Sequence, residues 1–324
     1  MANPSVPATQ DDIDDAPPVS LTWRTVRLNV LLFVLTVVAV FWTGIDVVRM
    51  SVAGDAHVGL LGGWPYAVPL LAILLAHEFG HYFAARYHRV PASLPYFLPL
   101  PGLGFGTLGA VIAMRDRIRS RNALLDIGAS GPLAGMLVAV PVLFWGIAHS
   151  PVSVSHPPFE QEGQSLIYVT IKWLVHGPIP AGSDVQLHPT ALAGWAGLFL
   201  TMINLLPFGQ LDGGHVAYAL FGERQNRMGP WIRWAPLPLF LGNFAHFALP
   251  LLPRPTGAGL ASAFGNSLFW LVWLVVLGVL ARLSGKEHPP FDSGPLSRWR
   301  VAVGWLCVAL FVGLFMPTPF SHVE

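Results

Sequence analysis

Two histidines and a glutamate form the most chemically distinctive pattern in the chain, His77-Glu78-Phe79-Gly80-His81. On an α-helix, residues i and i+4 lie one turn apart on the same face, so both imidazoles reach a single tetrahedral metal ion. The intervening glutamate faces the water bound to that ion, where a carboxylate acts as a general base. The pattern therefore predicts a hydrolytic zinc site in which His77 and His81 bind the metal and Glu78 moves protons.

A catalytic zinc site also needs a third protein ligand and one open position. Five side chains inside or near the ends of apolar segments carry suitable donor atoms: Asp46, Asp126, Asp212, His215 and His246. Asp212 is favoured because proline and glycine in the preceding residues 204–211 end an apolar helix and free the backbone to place a carboxylate. Asp212 also suits the N-cap of the apolar run that follows, and the two roles are compatible. His215, one turn later, is expected to support the ligands without binding the metal.

The composition places this pattern in a membrane. Apolar residues make up 53% of the chain and charged residues only 11%, whereas an ordinary soluble domain has about 25% charged residues. This deficit excludes an ordinary soluble enzyme, and ionisable residues inside a membrane span are costly and usually functional. The formal net charge of +1 gives no basic field for nucleic acid, and the single Cys307 excludes an intramolecular disulfide.

Seven apolar segments are predicted as transmembrane helices, because each crossing needs about 20 mostly apolar residues. They are residues 28–44, 64–87, 123–148, 190–206, 231–252, 265–283 and 299–316. The expected fold class is therefore an all-α polytopic membrane protein with about seven transmembrane helices. In the fifth segment, Asn243 and His246 are expected to form an interhelical hydrogen-bond pair.

Residues 91–114 are apolar but contain four Pro and four Gly, which is too many for a continuous helix. We predict a small membrane-associated β-hairpin there, sheltered by protein because bare backbone cannot face lipid. An extended edge at residues 105–112 would offer backbone hydrogen bonds to an unwound substrate strand. A loop that merely packs against the helices is the alternative interpretation.

The chain divides into four parts by composition. Residues 1–22, with four Asp beside several Pro, are expected to form a disordered acidic tail. Residues 23–56 hold the first transmembrane anchor, residues 57–222 hold the core with the metal-binding motifs, and residues 223–324 add further transmembrane helices. The polar loop at residues 149–189 has no predicted role.

The positions of lysine and arginine predict the orientation, because these residues accumulate in cytoplasmic loops. With the N-terminus inside, fifteen of the 18 lysines and arginines lie on the cytoplasmic side, and only Arg49, Lys172 and Arg254 lie outside. The N-terminus is thus expected in the cytoplasm and the C-terminus on the opposite side. His77 precedes Arg86 by nine residues, or about 13 Å of helix, which places the site within the bilayer and nearer the inner side.

HEFGH in a predicted transmembrane helix, followed by NLLPFGQLDGG at the end of a later one, resembles the site-2 protease family of intramembrane zinc metalloproteases. GPLAG at residues 131–135 is similar to that family's glycine-rich span, whose small residues allow close helix contact. The resemblance covers roughly residues 60–222. No segment is long and polar enough for the PDZ or CBS domain that relatives often carry, so we expect a minimal member.

The resemblance implies a role for each residue of the two motifs. One zinc ion is bound by His77, His81 and Asp212, and Glu78 is the general base. Asn204 is a polar group near the reacting carbonyl, where it either donates a hydrogen bond to the developing oxyanion or serves as an interhelical packing amide.

The expected function is that of an intramembrane zinc endopeptidase, which hydrolyses peptide bonds within transmembrane segments of other membrane proteins in regulated intramembrane proteolysis. Its partners would be a transmembrane protein substrate and the lipid bilayer, and nucleic acid is not expected. The expected location is a bacterial inner membrane or its organellar equivalent. The substrate, the scissile bond, the trigger and the oligomeric state stay open.

Two other classes of protein use parts of this pattern. A membrane di-iron hydroxylase or desaturase also has H-x₃-H boxes, but it needs further clustered histidines, and this chain has no His-His pair. A metal-free binder of membrane helices would not need a catalytic glutamate, whereas Glu78 lies between the two histidines. Metal analysis separates the three classes, because they predict one zinc, two irons or no metal.

Overall fold

A computed structural model describes residues 23–51, 58–114, 118, 120–155, 158–253, 255–283 and 294–323. The predicted acidic tail at residues 1–22 lies outside this part of the chain. The helices are α1 (Trp23–Ser51), α2 (Trp64–Tyr87), α3 (Arg121–Ala148), α4 (Leu166–His176), α5 (Pro189–Asn204), α6 (Asp212–Phe221), α7 (Glu223–Ile232), α8 (Pro236–Ala248), α9 (Gly257–Leu283) and α10 (Arg298–Leu314). The strands are β1 (Tyr96–Pro99), β2 (Thr107–Val111), β3 (Val152–Val154), β4 (Phe159–Glu162), β5 (Ser183–Val185) and β6 (Phe320–Val323).

Four helices in the described residues are long and apolar enough to cross a membrane: α1, α2, α3 and α9. Three other predicted spans coincide with α5, α8 and α10, which have 16, 13 and 17 residues. At 1.5 Å per residue these helices are shorter than the roughly 30 Å hydrocarbon core. The mostly helical membrane fold is confirmed, whereas the count of seven spans is not confirmed.

Helices α2, α3 and α5 form the centre of the molecule, around buried side chains such as Leu70, Leu125 and Leu198. Helices α2 and α3 approach each other closely at Gly80, where an added Cβ would lie 2.5 Å from the carbonyl oxygen of Ser130. The two backbones therefore touch, as the small residues of the GPLAG segment predict for a membrane helix pair. This contact holds the HEFGH motif against α3.

The predicted β-hairpin is present. Strands β1 and β2 pair antiparallel, with Tyr96 opposite Val111 and Pro99 opposite Thr107. The register shifts between Phe97 and Pro99. The hairpin is held against α1 by the Asn29 side-chain amide, which donates to the carbonyl oxygen of Leu94 at 2.7 Å. Because this sheet has two strands, the far edge of β2 pairs with no other strand in the described part of the chain.

The segment predicted as a polar loop at residues 149–189 is folded. It contains α4, the β3–β5 pair and β4, which pairs with the C-terminal strand β6. A buried ion cluster joins these pieces, because Lys172 Nζ lies 2.5 Å from Asp184 and 3.5 Å from Glu162. The Tyr168 hydroxyl donates to Glu162 at 2.6 Å, and burial together with this carboxylate raises the pKa of Tyr168 well above its usual value. Short strands separated by polar residues have little hydrophobic periodicity, so hydropathy patterning does not predict them.

The expected pair between Asn243 and His246 is wrong. The Asn243 side chain donates to the carbonyl oxygen of Pro317 at 2.7 Å and accepts from the Thr318 hydroxyl. The C-terminal segment after α10 thus supplies the partners that a neighbouring helix was expected to supply, while His246 is exposed. These bonds attach the α8–α9 pair to the rest of the molecule.

Candidate metal centre

Helix α2 carries the two histidines on one buried face. His77 is 5% exposed and His81 is 8% exposed, and their Nε2 atoms lie 3.2 Å apart. Glu78, between them on the same helix, is 5% exposed. A buried carboxylate beside two converging imidazoles is the arrangement that the HExxH spacing predicts.

Asp212 reaches the histidines because the chain turns back after α5. Gly209 in this turn has φ +52°, a left-handed conformation that glycine adopts without strain. Gly213 then packs on the end of α5, where an added Cβ would lie 2.0 Å from the carbonyl oxygen of Leu205. The turn starts α6 at Asp212, whose Oδ2 atom lies 3.2 Å from the Nε2 atoms of both His77 and His81.

The three donor atoms fit a zinc ion. His77 Nε2, His81 Nε2 and Asp212 Oδ2 are each 3.2 Å from the other two. Ligand atoms about 2.0 Å from a tetrahedral zinc ion are about 3.3 Å apart by simple geometry. Two nitrogens and one carboxylate also form the donor set of a catalytic zinc site with an open fourth position.

Helix α3 contacts the His81 ring and holds its orientation. His81 Nδ1 lies 2.6 Å from the carbonyl oxygen of Ile127, a bond that requires Nδ1 to carry the proton and leaves the Nε2 lone pair for the metal. Gly131 faces the same ring, and an added Cβ there would lie 2.0 Å from His81 Nε2. The sequence pointed to the glycine-rich segment only as a helix-packing element, and it contained no signal for the Ile127 carbonyl.

Asn204 lies beside the donor atoms. It is the last residue of α5, and its Nδ2 atom is 3.2 Å from His77 Nε2. A side-chain amide in this position is close enough to the metal centre to contact a group bound at the open position.

The other four candidate ligands lie outside this cluster. Asp126 binds Arg300 and His88, Asp46 pairs with Arg49 at 3.3 Å, and His246 is exposed. His215 packs its Cβ against Gly128 of α3. Within the described residues, the only group of three potential ligands with converging atoms is His77, His81 and Asp212.

A cleft of about 1450 Å³ lies beside this centre. Its walls are α1, the β1–β2 hairpin, α5, α9 and the strands β4, β5 and β6, and its lining includes Asn204 and Leu211 but none of the three donor residues. Thr107, Leu108 and Val111 of β2 face the same space. The cleft therefore has β2 on one side and Asn204, which lies beside the donor atoms, on another.

Comparison with known proteins identifies the core of the chain. The sequence model of peptidase family M50 matches residues 65–231, which include both metal-binding motifs. The chain is 27% identical over 261 residues to "Probable zinc metalloprotease EGY2, chloroplastic" of Oryza sativa subsp. indica. It is 33% identical over 165 residues to "Probable zinc metalloprotease EGY1, chloroplastic" of Arabidopsis thaliana.

These alignments cover different shares of the two partners. The EGY2 alignment covers 79% of this chain and 43% of the relative, and the EGY1 alignment covers 49% of this chain and 30% of the relative. The chain thus spans less than half the length of these relatives. No solved structure matches the chain significantly.

Proposed function

Because this chain belongs to peptidase family M50, the site-2 protease family, we propose that it is an intramembrane zinc endopeptidase. Its substrates are the transmembrane segments of other membrane proteins. The observation that carries this proposal is the set of three donor atoms, each 3.2 Å from the other two, buried between apolar helices. The single group of three ligands in the described part of the chain favours one metal ion over the paired irons of a desaturase.

His77, His81 and Asp212 would hold the zinc ion, which when bound supplies Lewis-acid activation of water and of the peptide carbonyl. Glu78 accepts a proton from the attacking water and delivers it to the leaving amine. The Asn204 amide donates a hydrogen bond to the carbonyl oxygen as negative charge develops on it. In a soluble protease, removal of one such donor costs about 3 to 4 kcal/mol of transition-state stabilisation.

The hairpin and the cleft suit a substrate whose helix has opened. A peptide bond in a helix is shielded by its backbone hydrogen bonds, and the bonds that open need new partners in an apolar environment. Residues of β2 line the cleft, and the edge of β2 that pairs with no other strand in the described residues would offer such partners through strand addition. Thr107 supports this edge, because its hydroxyl donates to the Leu98 carbonyl oxygen at 3.0 Å and accepts from the Gly109 N–H.

The proposed topology has seven crossings, with α5, α8 and α10 completing the set begun by the four longer helices. The N-terminus lies in the cytoplasm, or the equivalent compartment of an organelle, and the C-terminus lies on the other side. The distribution of lysine and arginine supports this orientation. The chloroplastic names of the relatives are compatible with an organellar membrane as well as a bacterial inner membrane.

The decisive experiment uses purified full-length protein in liposomes with a transmembrane client protein. The wild type should bind one zinc ion per chain and release a client fragment, whereas Glu78→Gln should bind zinc equally and release none. Equal cleavage by the two proteins would overturn the mechanism. Clients retained by the Glu78→Gln protein, identified by mass spectrometry, then reveal the natural substrates.

A further inference from the structure

A second cavity lies behind the metal centre, between α6, α7 and α10. Its volume is about 430 Å³, which lies in the roughly 300 to 1,000 Å³ range of small-ligand sites. Apolar side chains form nearly all of its wall, among them Val216 and Phe221 of α6, Met228 of α7 and Phe311 of α10. An apolar site of this size takes a hydrocarbon ligand in preference to a polar one.

Only two side chains of the lining carry strongly polar groups, Arg224 and Gln225. The Gln225 amide is engaged, because it donates to the carbonyl oxygen of Pro207 at 2.5 Å. Arg224 is exposed and therefore lies at the rim, and it forms no ion pair with a carboxylate in the part of the chain that the structure describes. The rim of an apolar cavity thus presents a cation that has no carboxylate partner among the described residues.

Helix α7 has the composition of a helix at a membrane surface. It carries Arg224 and Arg227, and Trp231 near its end is 80% exposed. Arg233 and Trp234, which is 51% exposed, follow directly. Arginine beside exposed tryptophan is typical of the headgroup level of a bilayer, because each of these side chains has an apolar part that contacts lipid and a polar part that contacts water.

We propose that this cavity binds one acyl chain of an anionic phospholipid, whose phosphate is held by Arg224. The apolar wall suits the acyl chain, and the cation at the rim suits the phosphate. The composition of α7 is typical of the headgroup level, where the acyl chains and the phosphate of a lipid adjoin. A partner helix does not fit, because a cylinder about 10 Å across fills 430 Å³ with about one turn.

The cavity shares a wall with the segment that positions the metal centre. Leu205 follows Asn204 directly, Gly213 follows Asp212 directly, and both line the cavity together with Pro207. A bound acyl chain therefore packs against the turn that brings Asp212 to the two histidines. We expect anionic lipid to raise the thermal stability of the folded protein.

The first test is native mass spectrometry of the full-length protein released from nanodiscs that contain phosphatidylglycerol and phosphatidylcholine in equal amounts. The wild type should retain one phosphatidylglycerol molecule. Arg224→Gln should reduce this retention about fivefold, because one cation near a phosphate contributes about that factor. Arg227→Gln is the matched control, since it removes the same charge from an exposed position of the same helix outside the cavity lining.

The outcomes decide the proposal independently of protease activity. Equal retention of phosphatidylglycerol by Arg224→Gln and Arg227→Gln would show a general attraction of the lipid to a basic surface and would overturn the proposed contact. Equal retention of phosphatidylcholine and phosphatidylglycerol by the wild type would also overturn it. Because both arginines are exposed, neither substitution disturbs the core. A second variant, Val308→Phe, fills the cavity from α10, and the folded protein should lose the bound lipid while Arg224 is still present.

Discussion

The Nδ1 atom of His81 lies 2.6 Å from the backbone carbonyl oxygen of Ile127, on the helix next to the one that carries the metal-binding motif. This bond fixes the orientation of the imidazole ring and directs its Nε2 atom toward His77 and Asp212. Helix α3 is therefore part of the metal centre, although it contributes no ligand. The close approach of α3 to α2 depends on glycine at the contact, such as Gly80 of α2.

The first prediction concerns Gly131 on α3. A Cβ at this position would lie 2.0 Å from His81 Nε2, so Gly131→Ala must displace the ring. We expect the bound zinc to fall by at least tenfold, as for loss of a group that orients a ligand. Gly135→Ala is the matched control, because its Cβ would lie 3.3 Å from His77 and only small adjustments are needed.

Metal content measured by mass spectrometry on both purified proteins checks this prediction. Alanine favours a helix by about 1 kcal/mol over glycine, so neither substitution should weaken α3 itself. Equal zinc content in the two variants would mean that the ring of His81 has room to move, and the support assigned to α3 would be wrong.

The second prediction separates Asp212 from His215. Asp212 Oδ2 lies 3.2 Å from both histidine nitrogens, whereas His215 packs against Gly128 outside the ligand group. Asp212→Ala should therefore remove most of the zinc, and His215→Ala should lower zinc affinity by roughly 10- to 100-fold at most. Zinc titration against a competing chelator measures both affinities. A zinc-free His215→Ala protein beside a zinc-loaded Asp212→Ala protein would reverse the assignment.

The convergence of the candidate ligands was more predictable from the sequence than the fold around them. His77, Glu78 and His81 are fixed by local helical spacing, which a sequence displays directly. Asp212 lies 131 residues after His81. The proline and glycine before it indicate the end of a helix, and this signal is also read from neighbouring residues alone. The bond from His81 to the Ile127 carbonyl has no sequence signal, because every residue has a carbonyl group.

The errors in the fold have a common physical origin. Hydropathy finds long apolar helices, and it found the four that are long enough to span a membrane. It does not reveal that residues 149–189 form a helix and short strands around Lys172, since these elements are held by tertiary contacts and not by an apolar stripe. Likewise, the partner of Asn243 proved to be the segment at Pro317, a pairing between distant residues.

The third prediction concerns pH and His188, which precedes α5. Its Nδ1 atom accepts the N–H of Thr190 at 3.2 Å and so caps this helix. Partial burial and the nearby His149 lower the pKa of His188 below its usual 6.5. Since the unfolded chain takes up the proton first, the stability that this group contributes is present above pH 6.5 and is lost as the pH falls below that value.

His188→Asn keeps a capping acceptor without a titrating group. The melting temperature of the wild type should therefore fall more between pH 7.5 and pH 5.5 than that of His188→Asn, which thermal unfolding in detergent measures. His149→Gln should reduce the pH dependence as well, because it removes the neighbouring charge. An identical fall in all three proteins would exclude His188 as its source.

The last prediction follows from the proposed function, in which backbone hydrogen bonds of the client helix open before its carbonyl reaches the metal centre. Relative to alanine, glycine costs a helix about 1 kcal/mol and proline about 3 kcal/mol, which corresponds to roughly 5- to 150-fold more opened chain. A client span with Gly or Pro in its cytoplasmic half should be cleaved faster than one with leucine throughout. Initial rates in liposomes, measured for a series of such clients at equal density, check the order.

The proposed function also has β2 hold the opened chain, and Thr107→Val tests this step on the same clients. The substitution preserves the shape of the side chain but removes the hydroxyl bonds to Leu98 and Gly109 that support the strand edge. Proline at Gly109 would be a poorer test, because φ +92° at this position is incompatible with a proline ring and the hairpin itself would change. Thr107→Val should slow cleavage of every client without loss of zinc. If leucine spans are cleaved as fast as those with glycine, opening of the helix does not limit the reaction, and selectivity must arise at another step.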